Sequence, residues 1–178
     1  RTGLDLDLWE KNFDTYLTRT NNPITFMITF NILTVTNFKS LLEKMLEWRR
    51  KYNFTEGGQQ WQRIRFDTPY LKEPLQYDMN ILPKDEYMPY MEDSLQFIKD
   101  NIDDADKHKF TTMEYEKFRR VVEYMKNTEY DRAKVKEGRK DFFNWFNEID
   151  RRRNTNFLEV FPEMEDFYQL CFEEIVNG

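Results

Sequence analysis

The stretch "ITFMITFNI" (residues 24–32) decides how the chain is read. Ile24, Phe26, Ile28, Phe30 and Ile32 alternate with Thr25, Met27, Thr29 and Asn31, the period-two pattern of a strand with two chemically different faces. One strand cannot satisfy its own backbone donors and acceptors, so it requires a partner. The segment that follows, "TNFKSLLEKMLEWRRKY" (36–52), places Phe38, Leu41, Leu42, Met45, Trp48 and Tyr52 at helical spacing, with Thr36 or Asn37 as the N-cap. "NFTEGGQQ" (53–60) then makes a loop around Gly57 and Gly58, and "RIRFD" (63–67) reads as a second short strand.

Strand, helix, strand in that order predicts a βαβ unit with parallel strands. Parallel sheets are normally covered on both faces and rarely stop at two strands. Only "LQYDMNIL" (75–82), which alternates Leu75, Tyr77, Met79 and Ile81, offers a further extended edge piece. The rest reads as helix. "LDLDLWEKNFDTYLTRT" (4–20) carries Trp9, Phe13, Tyr16 and Leu17 on one stripe, predicting a helix over about 5–18 that ends at "NNP" (21–23). Pro83 suits the first turn of a helix running to about residue 102, which Pro89 either kinks or truly begins. Thr111 and Glu114 form a capping-box pattern ahead of Tyr115, Phe118, Val121, Val122 and Met125. "DFFNWFNEIDRRR" (141–153) and a segment opened by Pro162 complete the helical part. The predicted architecture is therefore α/β to mainly α, divided into residues 1–82 around the strands and a helical region, 83–178, packed on them.

A domain of 178 residues buries roughly 70% of its unfolded surface, enough for one substantial core. Charged residues make up 34% and aromatics 17%, with 16 Phe, 10 Tyr and 4 Trp, so rings build that core beneath solvated charged faces. The net charge of −6 gives no whole-domain footprint for nucleic acid or an anionic membrane, leaving only a local basic patch open. No apolar run reaches the length of a membrane span. Cys171 is the single cysteine, which excludes an intrachain disulfide and fits a reducing, cytoplasmic setting.

No HExxH, EF-hand, GxGxxG, P-loop or GxSxG pattern is present. His108 lies in a polar connection, Cys171 on an apolar helical stripe, and Arg151, Arg152 and Arg153 where they complement a helix C-terminus. Strand parity separates a few positions from this background. With the even residues of 24–32 facing helices, Thr25, Met27, Thr29 and Asn31 face the other way, as do Arg63, Arg65 and Asp67 of the second strand. Parallel α/β sheets hold their ligands at the carboxyl ends of strands, which singles out Asn31 and Asp67. Capping of loop backbone is the competing role for both.

Four blocks in order resemble the carboxyl-terminal portion of the radical S-adenosylmethionine proteins with a SPASM or twitch-type auxiliary segment. They are "RTGLDLDLWEKNFDTYL", "ITFMITFNILTVTNFKSLLEKMLEWR", "RIRFDTPYLKEPLQYDMNILP" and "RRRNTNFLEVFPEMEDFY", the last similar to an "RGTNFxExFPE" ending. The resemblance implies that the strands are the fifth and sixth of a partial (β/α)6 barrel whose earlier strands are encoded upstream. It implies S-adenosylmethionine and a 4Fe–4S cluster in the full-length parent, with neither bound by this chain alone. It places Asn31 and Asp67 at the cofactor and Tyr70 and Lys72 at the substrate, which the family suggests is peptide-like. The chain departs from the family in lacking the CxxxCxxC cluster motif, the S-adenosylmethionine amino-group motif and the auxiliary-cluster cysteines. The sequence thus supports two readings: an enzyme's terminal part, inert in isolation and partnered by the upstream part of its own polypeptide, or a non-enzymatic acidic helical interaction module.

Overall fold

The computed structural model describes residues 4–52 and 62–177. The loop expected over 53–60 lies outside the described residues. The first helix, α1 (Leu6–Arg19), is capped by Asp5, whose carboxylate accepts the Leu8 amide at 2.9 Å. There follow β1 (Ile24–Met27), α2 (Phe38–Tyr52) and β2 (Ile64–Asp67), the two strands pairing in parallel with Ile24 opposite Ile64 and Met27 opposite Asp67. Five helices complete the chain: α3 (Lys84–Asp100), α4 (Thr112–Asn127), α5 (Arg132–Arg153), the short α6 (Phe157–Val160) and α7 (Glu165–Val176). The protein is mainly helical around a small parallel βαβ unit.

The first strand is shorter than its alternating pattern predicts, and the reason lies in its partner. Even-numbered amides of the first segment donate across the ladder: Ile24 to Arg63, Ile28 to Asp67 and Phe30 to Pro69. The register puts the Pro69 nitrogen where the reciprocal bond to Ile28 would form, and proline has no N–H to give. Regular pairing stops there, resumes as a parallel bridge between Phe30 and Tyr70, and ends where Ile32–Thr34 turns into a 3-10 helix. The parity itself holds. Phe30 and Ile32 are fully buried, Ile24, Phe26 and Ile28 are half-buried, and Thr25, Met27 and Thr29 are exposed.

Two further expectations are corrected. Residues 75–82 form two 3-10 turns, Leu75–Tyr77 and Met79–Ile81, because Asp78 takes the Asn80 amide onto its carboxylate and bends the chain away from extension. Arg63 leaves the face shared by Arg65 and Asp67. It is buried, and its guanidinium donates to the carbonyls of Thr20, Asn22 and Tyr52, closing the ends of α1 and α2. Asn37 stands at the N-cap position of α2 as expected, its carbonyl accepting the Leu41 amide at 3.4 Å, while the side chains of Thr36 and Asn37 turn to Glu163 at 3.0 and 2.5 Å and tie the start of α2 to the C-terminal segment. Pro89 lies inside α3, where its missing hydrogen bond falls on the solvent-exposed Asp85 carbonyl.

Aromatic rings hold the layers together. Trp48 of α2 stacks on Phe26 of β1 with centroids 5.5 Å apart and meets Phe13 of α1 at 4.8 Å. Such pairs contribute about 0.5–1.5 kcal/mol each beyond burial. Phe30, Phe38, Phe66 and Phe118 continue the core beneath β2, and Phe142, Phe146, Phe157 and Phe167 join α5 to α6 and α7. One connected set of buried residues includes members of both 1–82 and 83–178. Gly138 of α5 lets that helix close on the 3-10 turns: a Cβ there would lie 2.7 Å from Ile81 Cγ2 and 2.9 Å from Leu75 Cγ.

Candidate functional site

The two edges of the sheet differ. Residues 64 and 66 of β2 point their backbone groups away from β1, and a buried ion pair closes that edge. Arg49 Nε donates to the Ile64 carbonyl at 2.9 Å, while the Phe66 amide donates to Glu114 Oε1 at 3.2 Å. Arg49 and Glu114 are themselves joined at 2.6 Å. On the opposite edge the amides of Thr25 and Met27 have no partner among the described residues, and Met27 is 64% exposed. The Thr29 carbonyl is covered by the side-chain amide of Asn31 at 2.9 Å. Among the described residues the sheet is thus finished on the β2 side and open on the β1 side.

Asn31, singled out by its place at a strand end, serves the local backbone. Its carbonyl oxygen accepts the Leu33 amide, its own amide donates to the Thr34 hydroxyl, and together these form a capping box for the 3-10 turn. Asp67, Tyr70 and Lys72 are brought together elsewhere. With Thr68, Pro69, Leu71, Lys117 and Arg120 they line a cleft of about 500 Å³ at the carboxyl end of β2. Asn31 is not among its lining residues.

Each wall of the cleft has a physical origin. Asp67 ends β2 with Oδ1 accepting the Thr68 amide at 2.9 Å and Oδ2 paired to Lys117 Nζ at 2.7 Å. Lys117 and Arg120 stand three residues apart on α4 and so share one helical face. Tyr70 packs on Tyr124 with centroids 4.6 Å apart, and Lys72 Nζ lies 5.5 and 4.9 Å from those two ring centres. Tyr124 is anchored from behind, donating to Asp78 Oδ2 at 2.6 Å beside an identical bond from Tyr130. Burial, and then the bond to Asp78, push the Tyr124 hydroxyl far above the usual phenol range, so it stays a neutral donor. Lys117, Arg120 and Tyr124 escape a reading by sequence because they alternate with core residues along an ordinary amphipathic helix. The i, i+3 spacing of two cations was their only signal.

The residues present do not fit a 4Fe–4S cluster. Cys171 is fully buried in α7, where burial pushes its thiol up, and no group of three or more His, Cys, Asp or Glu among the described residues could hold a metal ion. Nor does the cleft by itself fit S-adenosylmethionine, whose sulfonium and ammonium outnumber its carboxylate. Its lining carries three cations to one carboxylate, and that carboxylate is already engaged. Among the described residues no helix is long and apolar enough to cross a membrane. In comparison with known proteins, no family model, no curated protein and no solved structure matches the chain.

Proposed function

We propose that this chain is the carboxyl-terminal part of a radical S-adenosylmethionine enzyme acting in the cytoplasm, contributing the last two strands of a partial (β/α)6 barrel and the helical region that closes it. The observation that supports this is the asymmetry of the sheet. A terminal barrel strand needs a finished outer edge, and its predecessor needs an open one to receive the strand before it. β2 carries the Arg49–Glu114 closure, whereas on β1 the Thr25 and Met27 amides, on the side where upstream strands would add, have no partner among the described residues.

In this reading the cluster and S-adenosylmethionine would be held by the upstream part of the same polypeptide and would supply radical hydrogen-abstraction chemistry there. This chain supplies a wall. Asn31 and Asp67 shape its cofactor end by fixing the turns that leave the two strands, and Tyr70 and Lys72 stand at its substrate end, toward a peptide-like molecule. The surrounding helices hold that wall rigid and limit water.

Translating the coding sequence upstream of Arg1 tests the reading. A CxxxCxxC within about the preceding 200 residues, a domain's length, is expected, as is iron in the longer protein purified without oxygen. A start codon close to Arg1 and an iron-free product would overturn it in favour of an acidic interaction module.

A further inference from the structure

We infer that the cleft at the carboxyl end of β2 is an oxyanion site, taking the phosphate or carboxylate of a ligand through Lys72, Lys117 and Arg120. It rests on the reading above only in taking the anion's carrier to be the substrate; the geometry that makes the site is independent of it.

The chain carries a net charge of −6, so a neighbourhood with three cations to one carboxylate is a local reversal of sign. The reversal is also held in place. Among the described residues Arg120 makes one hydrogen bond, from Nε in a long 3.4 Å contact with the Glu116 carbonyl; its charge also acts on the Glu116 carboxylate, but its terminal nitrogens make no hydrogen bond there and can form a two-pronged contact with an oxyanion. Among the described residues Lys72 makes ring contacts to Tyr70 and Tyr124 and no salt bridge, so its ammonium is positioned without a carboxylate partner there. Lys117 is shared with Asp67. Thr68 adds a further wall; it is 5% exposed, and its hydroxyl has no hydrogen-bond partner among the described residues.

Asp67 acts here as an internal stand-in for the ligand. Its carboxylate occupies Lys117 when the cleft is empty, and an arriving oxyanion competes for that ammonium while Lys72 and Arg120 are uncommitted. Removing the Asp67 charge should therefore strengthen anion binding, a sign opposite to that expected if Asp67 were itself a ligand contact.

The 178-residue chain, titrated at constant ionic strength with inorganic phosphate and separately with succinate and followed by amide NMR, tests this. Saturable shifts confined to residues 67–72 and 117–120 are expected, with phosphate favoured if the carrier is a phosphate ester and succinate favoured if it is a carboxylate. Lys72→Ala and Arg120→Ala, both on exposed side chains, should each weaken binding about tenfold, the loss of one charge-assisted contact. Asp67→Asn should tighten it severalfold, while Glu123→Gln outside the cleft leaves it unchanged. Shifts scattered over the surface, equal affinity in all variants, or weakening by Asp67→Asn would each overturn the assignment. Because this titration needs no cluster, its failure leaves the iron analysis of the longer protein standing, and the converse also holds.

Discussion

Arg49 and Glu114, 65 residues apart and both buried, meet at 2.6 Å and between them satisfy the outer edge of β2. Glu114 has a further duty: its other oxygen accepts the Thr111 amide at 3.0 Å, completing the capping box that starts α4. Arg49 reaches the Lys109 carbonyl at 2.7 Å and lies over the Phe110 ring. One ion pair therefore fixes the sheet edge, the start of α4 and the connection before it. A buried pair broken on one side leaves a charge without compensation, so Arg49→Ala should cost about 3–5 kcal/mol in urea unfolding. The double variant Arg49→Met, Glu114→Gln should recover part of this, but not all, because the Ile64 carbonyl then lacks its donor at about 1–3 kcal/mol. A double variant as unstable as Arg49→Ala alone would show that the pair's charges are not coupled.

Gly138 allows a prediction of sign. Glycine to alanine inside a helix ordinarily stabilises by about 1 kcal/mol through propensity. Here the added methyl would fall 2.7 Å from Ile81 Cγ2, and Ile81 is fully buried. Overpacking costs about 1–3 kcal/mol, so Gly138→Ala should be net destabilising in thermal or urea melts. Combining it with Ile81→Ala, which removes the nearer of the two clashing carbons and leaves Leu75 Cγ at 2.9 Å, should cost less than the two single changes added together. Simple additivity would mean that α5 does not approach the turn this closely.

How much of this was legible in advance depends on the range of the interaction. The parity of 24–32, the capping box at Thr111 and Glu114, and the parallel pairing follow from local pattern, and the structure bears them out. The early end of β1 depends on Pro69, a residue of the other strand, and nothing within 24–32 announces it. Alternation in 75–82 misled because the buried Asp78 carboxylate, held by Tyr124 and Tyr130, outweighs a period-two pattern. Asp67, Tyr70 and Lys72 line one cleft, while Asn31 took the capping role that strand-end asparagines share. Lys117 and Arg120 came from a helix 50 residues on, a juxtaposition that only the fold creates.

Alkaline pH should expose the buried phenols. Burial pushes Tyr87 up to about 12 from an ordinary 10.0, and raises Tyr52, Tyr124, Tyr130 and Tyr168 as well. A raised folded value means the native state holds the proton more tightly than the unfolded chain. This stability is fully present below pH 10, where both states are protonated, and is lost as pH rises toward 12. Stability measured by urea unfolding should fall across that window, and Tyr87→Phe should flatten the fall. If all tyrosines ionise together near pH 10 while the fold persists, these hydroxyls are not buried as described.

The open edge makes its own prediction, read by amide hydrogen exchange. Neighbouring amides on one extended segment face opposite ways: Ile24 and Ile28 donate to β2, while Thr25 and Met27 donate to nothing among the described residues. In the 178-residue chain the Thr25 and Met27 amides should exchange at rates near those of an unstructured peptide. The amides of Phe26 and Ile28 between and beside them should be slower by orders of magnitude. In a longer polypeptide that adds a parallel strand on this side, the same two amides should become protected to the level of their neighbours while Phe26 and Ile28 stay unchanged. Protection of Thr25 and Met27 already in the short chain, at concentrations where it is monomeric, would mean that the edge is closed from within. The case for missing strands would then be lost.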